Sequence, residues 1–158
     1  MARAAIARGQ DLFDSMPIQI TDVAGLNDVT GKAVIRGTCG TCHDSPNIGN
    51  HSVAAPLDIG IAHADRRTPD MPLYTLTNIK TDQVVRTTDP GLAMLTGKWA
   101  DIGKFKGPNL RGLAARAPYF HNGSAATLRD VVDFYDTRFH IGMSEQQKSD
   151  LVAFLSAL

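Results

Sequence analysis

Cys39-Gly40-Thr41-Cys42-His43 is the stretch on which the reading of this chain turns. C-x-x-C-H is the covalent attachment site of a c-type haem. Two thiols three positions apart on one helical turn can each add to a vinyl group of the same porphyrin. The histidine directly after the second thiol is then held under the ring, where its imidazole can bind iron. Cys39 and Cys42 are the only two cysteines in the chain. Other readings of the pair are weaker. A thioredoxin-like redox pair expects a βαβ context, and the flanking sequence carries no strand run. A zinc site needs two further ligands at a matching spacing, whereas His51 and His63 lie in loop-like sequence. A disulfide between the two thiols leaves His43 without a role.

The length of 158 residues suits one compact domain, and residues 1–158 are read as a single haem domain. Sixteen basic and sixteen acidic side chains cancel, so no basic stripe points to nucleic acid. No apolar stretch approaches the 18 residues of a membrane span. Met1-Ala2-Arg3-Ala4-Ala5-Ile6-Ala7-Arg8-Gly9 is too polar for a signal-peptide core. Because c-haem attachment takes place outside the bacterial cytoplasm, the expected location is the periplasm, with the chain a mature product or an excised domain.

Along the chain, residues 3–14 are rich in alanine and read as a helix, with Gly9 and Phe13 four apart on one face. Gly9 is either a mildly destabilising helix glycine or a point of close approach to another helix, as where the first and last helices of a cytochrome c fold cross. Residues 16–36 read as irregular, 38–44 as a short haem-binding helix, and 45–72, with Pro46, Gly49, Pro56, Gly60, Pro69 and Pro72, as a long loop able to wrap a haem edge. Asp89-Pro90 predicts a helix start, with the helix running to Leu95 and ended by Gly97. Trp99, the lone tryptophan, is either core packing or a haem neighbour, and is kept as a cofactor-binding candidate. Thr127 to Asp130 and Ser144 to Gln147 are capping boxes. Leu128, Val131, Val132 and Tyr135 then form an apolar stripe at helical spacing, which turns Tyr135 toward the buried face. The last helix carries Leu151, Val152, Phe154, Leu155 and Leu158. No strand is evident, so the expected class is mainly α, a cytochrome c-like helical domain around one covalently bound haem.

His43 fills one axial position of the iron. The other is either open, giving a catalytic or gas-binding site, or occupied, giving an electron-transfer site. Candidates are Met71, Met94, Met143, His51, His63, His121, His140 and Tyr135. Thioether ligands raise the potential, and Met143, just before the last helix, and Met71, before a proline, both suit a ligand loop. Arg111 could pair with a haem propionate through its fork. The second ring nitrogen of His43 should donate to a backbone carbonyl, with that of Pro46 a candidate by position.

Phe105-Lys106-Gly107-Pro108-Asn109-Leu110-Arg111-Gly112-Leu113, then Ala117-Pro118-Tyr119-Phe120-His121-Asn122-Gly123-Ser124, then Thr127 to Tyr135, resemble the C-terminal haem domain of the bacterial di-haem cytochrome c peroxidase family. With the haem motif, the resemblance covers 37–158. It implies a distal iron ligand fourteen residues after His121, which is Tyr135. The peroxidases have methionine there, and the branch resembling the methylamine-utilisation enzyme that matures a tryptophan-derived quinone has tyrosine. The resemblance also implies a calcium ion on the carbonyls of Arg116 and Pro118, with its remaining ligand in a second domain. The chain departs from the family in carrying one C-x-x-C-H motif rather than two, and Gly112 where asparagine is usual.

The function expected is a haem c domain carrying single electrons, in a di-haem peroxidase-like setting, to a redox partner protein or a second haem domain. The alternative is a hydrogen-peroxide-reducing enzyme, with His121 or His140 as the acid/base group. A five-coordinate gas sensor has no attached signalling module to support it. A phenol on ferric iron would ionise under the metal charge, so Tyr135 ligation predicts a low reduction potential.

Overall fold

A computed structural model of the chain describes residues 2–43 and 53–158. The fold is organised by the crossing of its first and last helices. Helix α1 (Ala2–Ser15) draws on alanine, which loses no side-chain entropy in a helix, and it buries Gly9 and Phe13. That stripe lies on α5 (Glu145–Leu155), the most extensive contact between any two elements. A Cβ at Gly9 would sit 2.1 Å from the Asp150 carbonyl oxygen and 2.6 Å from Phe154 Cβ. Close approach is therefore the reason for glycine at this position. The Phe13 and Phe154 rings meet at 5.6 Å. Arg8 grips Asp150 through two bonds of 2.7 Å, and this pairing holds the Asp150 carboxyl below the ordinary carboxylate range.

Helix α4 (Leu128–Phe139) packs on α5. Both helices start at capping boxes: Thr127 with Asp130, and Ser144 with Gln147. In each, the cap hydroxyl accepts an otherwise orphaned N–H while the third side chain returns the bond. Leu128 and Val132 of α4 join Phe13, Leu110, Leu113, Leu151, Phe154 and Leu155 in the main core. Lys148 of α5 bridges Asp133 and Asp136 of α4 at 2.8 and 2.7 Å.

A second core, built from Ile18, Ile20, Val23, Leu57 and Phe139, lies against two strands. Strand β1 (Ile18–Thr21) pairs antiparallel with β2 (Val34–Gly37), Ile18 facing Gly37. Between them, around the short helix α2 (Asn27–Thr30), the Asn27 amide donates to the carbonyls of Ile20 and Lys32 and accepts from Val23 N–H. A second hairpin joins β3 (Tyr74–Thr77) to β4 (Val84–Thr87). The four strands correct the expectation that the chain has none. Each is only four residues long, too short for an alternating pattern to stand out, although β1 does alternate buried and exposed. The mainly α reading therefore holds only in part: five α-helices and four 3₁₀ turns share the described residues with two strand pairs.

Other boundaries moved. Helix α3 spans Ala93–Thr96 and ends at Gly97 in the left-handed region, but it starts four residues after Asp89. The Asp89 carboxylate instead accepts the Gly91 N–H at 2.9 Å and closes a turn. The haem helix expected over 38–44 is a 3₁₀ turn over Cys39–Thr41, with residue 44 outside the described residues. In the expected loop, 53–72 carry a 3₁₀ turn, Ala64–Arg66, and Leu57 bridges to Phe105. Pro46 and His51 lie outside the described residues.

Candidate haem-binding site

Strand β2 delivers the chain to the C-x-x-C-H turn. A Cβ at Gly37 would sit 2.2 Å from Thr41 Oγ1, so glycine lets the turn fold back on the strand. The Thr41 hydroxyl accepts the Thr38 N–H at 2.9 Å. The N–H groups of Cys42 and His43 both reach the Cys39 carbonyl, at 3.2 and 2.9 Å. Cys39 and Cys42 thus sit on one turn with His43 directly after, as the spacing predicts.

Both cysteines are free thiols and half-buried. Cys39 packs against the Phe13 core and the Val23 core, Cys42 against the latter. Burial pushes the Cys39 thiol up to about 11 and raises Cys42 as well. Burial also pushes the His43 imidazole down to about 4, which keeps it neutral, the form that binds a metal. Its Nδ1 is buried without a hydrogen-bond partner among the described residues. The acceptor expected for it, the Pro46 carbonyl, lies outside them. Phe13 of α1 flanks the imidazole, ring centroids 6.4 Å apart. A buried neutral imidazole beside two unpaired thiols is the donor set a c-type haem requires, so the residues present fit the group.

Tyr135 comes to this site from α4. Its ring packs against the Val23 core that also receives Cys39 and Cys42, and against the smaller core of Ile61, Ala62 and Phe134. Three aromatic rings fix it: Phe134 at 5.3 Å edge-on, Phe139 at 6.2 Å stacked, and Phe120 at 6.3 Å. Tyr135 as a whole is half-buried. Burial, and then the nearby Cys42 and Cys39 thiols, hold its pKa well above the ordinary phenol value.

The other candidates are placed differently. Met143 packs on the Phe13 core, which it shares with Cys39 but not Cys42, and its N–H is tied to Asp136 at 2.9 Å. Met71 is buried in the 53–72 segment, its carbonyl accepting from Arg67 at 3.0 Å. Met94 is 72% exposed on α3. His63 pairs with Asp58 at 3.7 Å, and His140 is the left-handed cap of α4. His121 bonds Asp89 through Nδ1 and lies 4.9 Å from the Phe105 ring. Trp99 lines a cavity of about 240 Å³ with Asp58, His63 and Arg86, apart from the cores that hold the cysteines. Arg111 is exposed, its N–H bonded to Asn109 Oδ1 at 2.8 Å. In the region expected to hold calcium, the Arg116 guanidinium donates to the Asn109 carbonyl at 2.9 Å. Among the described residues, no three His, Cys, Asp or Glu side chains gather to hold a metal ion.

Sequence reading missed the bonds that set this site: Thr41 on Thr38, Asp136 on the amides of Gly142 and Met143, and Arg138 on three carbonyls. The T-x-x-T-C frame of the first was a readable signal; the other two had none.

Fold and site together define a cytochrome c-like domain. A family model described as RoxA-like, cytochrome c-like matches residues 104–141. Cytochrome-c peroxidase IdrP2 of Denitromonas iodatirespirans is 34% identical over 145 residues, covering 85% of this chain and 38% of that protein. Cytochrome-c peroxidase IdrP1 of Pseudomonas sp. (strain SCT) is 32% identical over 150 residues, covering 81% of this chain and 38% of its own length. The crystal structure of a MauG-like protein associated with microbial copper homeostasis matches with a TM-score of 0.52 at 26% identity, over 98% of this chain and 43% of that one. The chain is related to cytochrome c peroxidases over most of its own length, and it spans 38% of the length of these two curated relatives. No helix among the described residues is long and apolar enough to cross a membrane.

Proposed function

We propose that this chain is a periplasmic electron-transfer domain with one haem c, bound through Cys39 and Cys42 and ligated by His43 and Tyr135. The carrying observation is the convergence of Tyr135 from α4 and both thiols on one core, that of Val23 and Phe139. When bound, the haem supplies a one-electron couple, and a phenolate ligand would favour its ferric state. The protein's own residues do the rest. His43 is kept neutral by burial. Phe134, Phe139 and Phe120 hold the Tyr135 ring and exclude water from its flank. Phe13 braces His43 against the α1–α5 crossing. Electrons would pass to a redox partner protein or to a second haem domain, as the length of the relatives suggests.

The test is spectroelectrochemistry of haem-loaded protein. Tyr135→Phe should change the ferric spectrum, and Tyr135→Met should raise the potential. An unchanged ferric spectrum in Tyr135→Phe, or a sulfur-to-iron band lost only in Met143→Ala or Met71→Ala, refutes Tyr135 ligation.

A peroxide-reducing reading is favoured by one observation, the His121–Asp89 pair, which gives His121 the carboxylate partner of an acid/base group. Peroxide turnover with a reduced donor by this chain alone, lost in His121→Gln, would establish it.

A further inference from the structure

We propose that Arg138 is the positioning residue that fixes the span between Tyr135 and His43; this rests on the His43/Tyr135 reading above. Arg138 stands one turn beyond Tyr135 on α4. Its Nε donates to the Ile59 carbonyl at 3.1 Å, and its Nη2 to the carbonyls of Thr21 at 3.0 Å and Asp22 at 2.9 Å. These acceptors come from two segments remote in sequence, and all three are main-chain oxygens. The planar guanidinium fork therefore reads backbone position. Its carbon also stacks 4.8 Å over the Phe139 ring, which itself stacks on Tyr135.

The carbonyls lead back to the haem motif. Thr21 ends β1, and Asp22 turns the chain with φ of 55°. Strand β1 is bonded to β2 in a register that sets Ile18 opposite Gly37. Gly37 abuts Thr41 and leads directly into the turn of Cys39, Cys42 and His43. The covalent chain from the His43 turn into β2, the β2–β1 ladder and the Arg138 bond to Thr21 thus connect the turn to the helix that carries Tyr135. Without that link α4 can roll on its apolar bed, and a roll of about 10° displaces a phenol oxygen by ~1.5 Å, given the helix radius and the length of the side chain. From the other side of the helix, Asp136 holds the amides of Gly142 and Met143 at 2.8 and 2.9 Å, so the C-terminal turn cannot unwind to compensate.

The experiment uses haem-loaded protein and reads the ferric spectrum, the reduction potential and the rate at which added imidazole displaces the distal ligand. In Arg138→Gln, the ferric spectrum should become a mixture of ligation states. Imidazole should enter about tenfold faster, the equivalent of roughly one bond from a charged donor. Arg138→Lys keeps the charge but not the fork and should fall between. Arg129→Gln removes the ion pairs of α4 with Asp133 and Glu145; it should leave spectrum and rate unchanged even where it lowers the melting temperature. Wild-type spectrum and rate in Arg138→Gln, with Tyr135→Phe altered, overturns the positioning role and leaves the ligand standing. An unchanged Tyr135→Phe removes the ligand, and the positioning role with it. If Arg138→Gln does not fold, Arg138→Lys decides: an intermediate rate supports the role and a wild-type rate overturns it.

Discussion

Gly9→Ala tests the packing on which the site rests. The new Cβ would lie 2.1 Å from the Asp150 carbonyl oxygen, 2.6 Å from Phe154 Cβ and 2.7 Å from the Asp150 carbonyl carbon. Two of these atoms are backbone, so no side-chain rotation relieves the clash, and the helices must part by about 1 Å to restore van der Waals separation. Overpacking of a filled core costs about 1–3 kcal/mol, and a backbone clash belongs at the upper end. Alanine returns about 1 kcal/mol of helix propensity over glycine. The net expectation is a loss of about 2 kcal/mol, or about 4–8 °C in Tm for a domain of this size. Thermal unfolding of the haem-loaded protein, followed by far-ultraviolet circular dichroism, reads it directly. Because Phe13 touches both Phe154 and His43, the ferric spectrum should broaden as well. A Gly9→Ala protein as stable as wild type, or more so, would show that the helices do not approach this closely.

Leu151→Ala opens a cavity in the Phe13 core and should cost about 2–5 kcal/mol in urea unfolding. Thr127→Ala removes the cap hydroxyl that accepts the Asp130 N–H and should cost about 1 kcal/mol in the same assay. The nearby Asp58 carboxylate raises the His63 pKa despite opposing burial. The stability from that pair is fully present below the ordinary histidine value of about 6.5 and is lost as pH rises through the raised folded value. His63→Gln should flatten the stability profile across that window, and an unchanged slope would show the pair to be unlinked to folding.

What the sequence could reveal followed local rules. The capping boxes at Thr127 and Ser144 depend on residues within one turn, and the structure keeps them; of the stripe Leu128 and Val132 are buried, while Val131 and Tyr135 are half-buried and Phe134 and Phe139 share the buried face. Gly9 left two readings because only the partner helix, about 140 residues away, could decide between them; Arg8 and Asp150 are 142 apart. The strands went unseen because four residues carry too little pattern. The helix expected from Asp89 began later because its carboxylate was taken by the Gly91 amide. Arg138 was unreadable for a different reason. Its acceptors are carbonyls 79 to 117 positions away, and a carbonyl leaves no mark in an amino-acid sequence. Within the candidate site, the C-x-x-C-H geometry was legible because one turn contains it; Tyr135 was pointed to by the family resemblance and the helical stripe, and the core it shares with the cysteines is formed by the packing of β1 and α4.

The most direct test of the central claim is the intact mass of protein matured with a c-type haem system, denatured and extracted with acid acetone. One haem should remain attached, on the peptide that contains Cys39 and Cys42, and Cys39→Ala with Cys42→Ala should abolish it. A mass equal to the bare polypeptide would contradict the account.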